Sequence, residues 1–110
     1  MKRSIVQEKS FAFAVRIVQV ARSLQNRCKD FVLSNQLMRS GTSIGANVEE
    51  ALGAQSRKDF LAKMSIAAKE ARETRYWLRL VTESGLSTDP QLEELFKECE
   101  ELLRVLNSII

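Results

Sequence analysis

No histidine occurs anywhere in the 110 residues. The commonest general base and the commonest metal ligand are therefore missing, which argues against hydrolytic or metal-dependent chemistry. The two cysteines, Cys28 and Cys99, fit neither a C-x-x-C redox pair nor a zinc spacing. Both read as small apolar fillers of a core, where free cysteine is most often found. One proline and four glycines leave few places for turns, so the elements must be few and long. There is no run of about 18 apolar residues, the length a membrane-spanning helix needs. The opening MKRSIVQEKSFAFAVRIV begins with Lys2 and Arg3 as a signal peptide does, but Gln7, Glu8, Lys9 and Arg16 interrupt any apolar stretch. The expectation is a cytoplasmic chain.

What is present is ordinary for a globular protein: 45% hydrophobic and 28% charged residues, enough for one domain spanning 1–110 with a single core. The net charge of +3 hides a gradient. Residues 1–29 carry seven cations against Glu8 alone, whereas residues 89–110 carry six carboxylates against Lys97 and Arg104. The two ends either neutralise each other side by side or face different partners.

Read at 100° per residue, four amphipathic helices emerge. The last, about 89–109, gathers Leu92, Leu95, Phe96, Cys99, Leu102, Leu103, Leu106 and Ile110 on one side, behind an Asp89-Pro90 start. A third helix, about 56–84, opens on Ser56-Arg57-Lys58-Asp59 and stops at Gly85. Its seam is Phe60, Met64, Ala67, Ala71, Thr74, Leu78 and Val81, with Ile66, Trp77 and Leu80 on a second face. The first helix, about 4–27, is apolar through Val6, Phe13, Ala14, Ile17, Val18, Ala21 and Leu24. The second, about 29–54, has Leu33, Leu37, Ile44, Val48 and Ala51. Short connections make successive helices antiparallel neighbours, so the predicted fold is all-α, an antiparallel up-down-up-down four-helix bundle.

Several features stand outside the seams. Gly41 and Gly45 lie inside the second helix, where each costs about 0.5–1 kcal/mol relative to alanine. Close packing of helix backbones offsets such a cost, either within the bundle or between subunits. A polar line of Gln36, Arg39, Ser43, Asn47 and Glu50 borders the core, with Glu70 and Glu73 as carboxylate partners for the arginine. It is either a hydrogen-bond network fixing register or a subunit seam, or a ligand site. Lys2, Lys9, Arg16 and Arg27 make a basic stripe on the first helix, and Arg72, Arg75 and Arg79 a second one on the third. Each either tracks phosphates or is an ordinary solvated or carboxylate-paired face. Trp77 is an anchor of core or interface before it is a base-stacking platform.

The run QLMRSGTSIGANVEEA, followed by SRKDFLAKMSIAAKEARETRYWLRLV, resembles the bacterial four-helix bundle protein family, whose members are often encoded by intervening sequences within large-subunit ribosomal RNA genes. The resemblance extends over nearly the whole chain, is strongest over residues 33–81, and is most specific at Arg39, Ser40, Ser43, Ile44 and Asn47. It implies a ring-shaped homopentamer. Through the related accessory variability determinant protein of diversity-generating retroelements, which binds nucleic acid and a reverse transcriptase, it also implies a nucleic-acid role. It brings neither catalytic activity nor a cofactor. The leading expectation is thus a non-enzymatic homo-oligomer binding RNA or DNA through repeated basic surfaces. The alternative is a structural or protein-interaction adaptor, for a polymerase or a ribonucleoprotein, that touches no nucleic acid.

Overall fold

The computed structural model describes residues 4–110, which form four helices: α1 Ile5–Cys28, α2 Val32–Leu52, α3 Arg57–Glu83 and α4 Gln91–Ile109. The side chain of Ser4 accepts the Gln7 N–H and so starts α1. Lys29 ends it in the left-handed region, at φ 54°. The turn this produces moves the start of α2 three residues beyond the expected 29. There the Ser34 N–H donates to Asp30 Oδ2 at 2.9 Å, covering one of the donors a helix start leaves orphaned. Ser56 caps α3 by accepting the Asp59 N–H at 3.0 Å, and Gly85 follows its end at φ 77°, a conformation that glycine enters without strain. Asp89 Oδ1 accepts the Gln91 N–H at 3.0 Å, so Asp89 and Pro90 open α4 as expected.

Successive helices pack on one another, and α4 closes the square against α1. The bundle measures 44 × 23 × 20 Å. Cross-helix bonds run in opposite senses along neighbouring helices: Gln7 meets Glu49 while Gln25 meets Asn35, and Lys9 meets Glu101 while Arg16 meets Glu94. That is the antiparallel order. The α2–α3 contact is the most extensive and the α1–α4 contact the sparsest.

The predicted seams form the core. Phe13, Ile17, Leu37, Ile44, Met64, Leu78, Leu95 and Leu106 are buried, with Ala67, Ala71, Thr74 and Val81 beside them. Burial of each large aliphatic or aromatic side chain contributes about 1.5–3 kcal/mol. The buried hydroxyls do not cross the core: Ser34, Ser40 and Thr74 donate to the carbonyls of Asp30, Gln36 and Glu70, and Ser10 to that of Gln7. No buried side-chain nitrogen or oxygen is left without a partner among the described residues. Cys99 lies in the core with its thiol on the Ala71 carbonyl, and burial pushes its pKa up to about 12. Cys28 is half-buried, packed against the edge of the core, and donates to the Leu86 carbonyl at 3.4 Å. With a thiol reagent at pH 8, Cys28 will label in the native state and Cys99 only as fast as the bundle unfolds.

The two helix glycines have different roles. A Cβ built on Gly41 would stand 2.7 Å from Ile17 Cγ2, whereas one on Gly45 would stand 3.4 Å from the Ser10 carbonyl oxygen. Gly41 therefore lets α2 lie directly on α1, and Gly45 sits at ordinary contact distance. Of the two readings of these glycines, packing within one chain accounts for Gly41, while nothing in the chain requires a glycine at Gly45. Gly45→Ala should raise the melting temperature by about 3 °C, since the helix gains about 0.5–1 kcal/mol of propensity and no clash opposes it.

Candidate functional site

The basic stripe of α1 lies on the flank that faces α4. Lys9 pairs with Glu101, and Arg16 pairs with both Glu94, at 2.9 Å, and Glu98. Two cations near the start of the chain are thus neutralised by three carboxylates near its end, across the sparsest seam of the bundle. This is the paired alternative for these two residues. Arg27 is exposed at the far end of α1 and makes no ion pair among the described residues, and Lys2 lies outside the described residues. Hydrogen bonding and charge from the Lys9 ammonium hold the Glu101 carboxyl below the usual carboxylate range. Because the folded value is the depressed one, the contribution of Glu101 is complete above the ordinary carboxylate pKa and is lost as pH falls through the lowered one. A side-chain NMR titration should show Glu101 among the most acidic glutamates, and Lys9→Met should return it toward the ordinary range.

The polar line of α2 divides in two. Arg39 reaches Gln36 on its own helix and both Glu70, at 3.3 Å, and Glu73 on α3. The Trp77 indole N–H donates to the same Glu73 at 3.2 Å, so Trp77, packed against the core, is tied to the same network. Ser43 and Asn47, in contrast, donate to the carbonyls of Arg39 and Ser43 on their own helix, and Glu50 is exposed with no hydrogen bond among the described residues. Only Gln36, Arg39, Glu70, Glu73 and Trp77 form a cross-helix network. The expectation of one continuous line through Glu50 is corrected on this point. Side chains as short as Ser43 and Asn47 find the nearest backbone acceptor before they reach another helix.

The second basic group also separates. Arg79 pairs with Glu83 one turn on, at 2.6 Å, and Arg75 stands 4.0 Å from Glu100 of α4. Glu73, which is near enough in sequence to pair with these arginines, is taken by Arg39 instead. Arg72 shares the outer face of α3 with Lys58 and Lys69, and none of the three makes an ion pair among the described residues. Tyr76 lies on the same face, 58% exposed and edge-on to Trp77.

A feature absent from the expected site is the outer face of α1. Ile5, Phe11 and Val15 are 68%, 69% and 43% exposed. The same 100° arithmetic that found the inner face places Phe11 and Val15 nearly opposite Phe13 and Ile17, so the signal was in the periodicity, whereas Ile5 lies on the flank of Lys9 and Arg16. Beside Phe11 is a shallow recess lined by Gln7, Glu8 and Glu49, where the Gln7 amide donates to Glu49 at 2.8 Å. An open cleft of about 740 Å³ lies elsewhere, between the end of α1 and the α3–α4 connection, with Ser23, Arg27, Cys28 and Thr88 on its walls. Among the described residues no group of three or more Cys, Asp or Glu side chains is arranged to hold a metal ion, and no helix is long and apolar enough to cross a membrane.

The structure has a close relative. A protein of unknown function from the S23 ribosomal protein family of Bacteroides thetaiotaomicron, solved by crystallography, is 50% identical and superposes with a TM-score of 0.93, over 96% of this chain and 98% of that one. No curated protein matches the chain. The model of the 23S rRNA-intervening sequence protein family matches residues 2–108, so the chain belongs to that family.

Proposed function

We propose that the chain is a non-enzymatic, cytoplasmic bundle that works by self-association, as a repeating platform and, by its family resemblance, as a ring of five. The observation that carries this reading is the outer face of α1. Two large apolar side chains, Phe11 and Val15, share one helix face that the bundle itself leaves open. A clustered apolar surface of this kind marks an interaction site, whereas apolar side chains scattered singly do not. Light scattering of the purified chain tests the reading. A mass of several chains supports it, and a single-chain mass at micromolar concentration refutes it.

A second reading concerns what the platform holds. RNA or DNA is favoured by one observation: Lys58, Lys69 and Arg72 lie on the outer face of α3 without carboxylate partners among the described residues, and Arg79 is nearby. The cations of α1 lend less support, since Lys9 and Arg16 are spent on α4. Repetition around an oligomer multiplies the neutralised phosphates and steepens the salt dependence of binding. Replacing Arg72 and Arg79 by glutamate should weaken binding to generic RNA at 50 mM salt and lower the salt slope by about 1 for each phosphate no longer neutralised. Unchanged affinity would remove α3 from the interface. Undetectable binding of the native chain at low salt would leave the adaptor role, with a polymerase or ribonucleoprotein as partner.

A further inference from the structure

We infer that the open face of α1 is covered by the α2-facing edge of α3 from a second copy of this chain, an inference that rests on the self-association just proposed. The two surfaces match in three independent respects.

The first is polarity. On α3, 100° per residue puts Ala62, Ile66, Lys69 and Tyr76 along one edge, with Ile66 42% and Tyr76 58% exposed. Tyr76 and Lys69 border the outer face that carries Arg72, with Arg79 beyond it, and Ile66 lies on the side toward α2. The edge presents apolar surface to receive Phe11 and Val15.

The second is charge. The α1 face is bordered by Glu8 and by Glu49 of α2, which line the recess beside Phe11. The α3 edge is bordered by Lys58 and Lys69, both exposed, with Asp59 beside Ile66 and Glu73 held by Arg39, and Arg22 stands farther along the α1 face. Carboxylates beside one apolar strip and ammonium groups beside the other fix register and disfavour each face pairing with itself.

The third is level and direction. The Gln7–Glu49 bond aligns α1 with α2, and the pairs from Arg39 to Glu70 and Glu73 align α2 with α3. Counting along α2 between them places Phe11 level with residues 64–67 of α3, which include Ile66. Because both are antiparallel to α2, α1 and α3 also run the same way. Copies related by rotation about an axis parallel to the bundle stand at one height and point in one direction. The α1 face of one copy and the α3 edge of the next therefore meet in register, and a contact between two different faces of this kind closes into a ring when the rotation allows.

Two exposed-site variants test the pairing, Phe11→Asp and Ile66→Asp, each checked for unchanged helix content by circular dichroism. Each alone should raise the dissociation constant at least about 30-fold, the effect of removing one interface anchor. Mixed in equal amounts, they should give a species of two chains and no larger. Phe11→Asp keeps an intact α3 edge and Ile66→Asp an intact α1 face, so one contact forms and cannot propagate. A charge swap gives a second reading: Glu8→Lys or Lys69→Glu alone should weaken assembly, and the two together in one chain should restore it. Variants that keep the native mass, or a mixture that stays as single chains, would overturn the pairing. If the native chain is itself a single chain, the platform reading fails as well, and the native sample alone reveals it.

Discussion

Replacing Gly41 by leucine will lower the global stability of the bundle by about 3 kcal/mol, the upper part of the usual range for overpacking a core. For a domain near 100 residues that corresponds to a fall of about 15 °C in melting temperature. A Cβ alone would come within 2.7 Å of Ile17 Cγ2 and 2.9 Å of Ile17 Cγ1, and Ile17 is fully buried with nowhere to retreat. Leucine adds three further carbons in the same place. The effect belongs to the fold of one chain, so it will appear in chemical denaturation at any protein concentration. That differs from a subunit-contact role, in which assembly would fail and the bundle survive. Ile17→Ala removes the atoms in the way. The double variant should therefore be more stable than the sum of the two single losses by at least about 1 kcal/mol, a coupling typical of residues that touch directly. Strict additivity would mean that the two residues do not touch.

The second large effect is centred on Arg39. Its side chain is half exposed, so its charge alone counts for little. The cost of removing it arises on α3, where the Glu70 side chain is only 12% exposed and would be left without its guanidinium partner. Arg39→Ala should destabilise the bundle by about 2 kcal/mol, the penalty for a nearly buried charged group stripped of its partner. Glu70→Gln in the same chain should recover about half of that, because a neutral amide is cheaper to leave unpaired. Arg39→Lys should fall in between, since one ammonium cannot reproduce a planar fork that reaches Gln36, Glu70 and Glu73 at once. Equilibrium denaturation of the three variants decides it. An Arg39→Ala variant as stable as the native chain would mean that Glu70 finds water easily and that the network does not hold register.

The helices are legible in the sequence because their signals are local or periodic. Ser56, Asp89 and Gly85 act within a few residues, and the seam from Met64 to Val81 repeats without interruption. The helix that starts after Phe31 is expected three residues too early because Lys29 takes a left-handed conformation that lysine seldom adopts and no residue type advertises. For the candidate site, Arg39 with Glu70 and Glu73 can be read from the need of a core-bordering guanidinium for carboxylates. The fate of Lys9 and Arg16 cannot be decided in that way. The charge gradient allows both a pairing with α4 and a free basic stripe, and the choice depends on which flank of α1 faces α4, a tertiary fact. Gly41 and Gly45 look equivalent for the same reason. Their difference is set by what lies opposite, Ile17 in one case and the Ser10 backbone in the other. Phe11 and Val15 are harder to read, because the periodicity that defines a buried face does not say what covers its reverse.

The platform account is tested most directly by sedimentation equilibrium of the native chain beside Phe11→Asp, at micromolar concentration and moderate salt. The account predicts a multi-chain mass for the native protein and a single-chain mass for the variant, with equal helix content in both. A native chain that sediments as one subunit, or a variant that keeps the native mass, would contradict it.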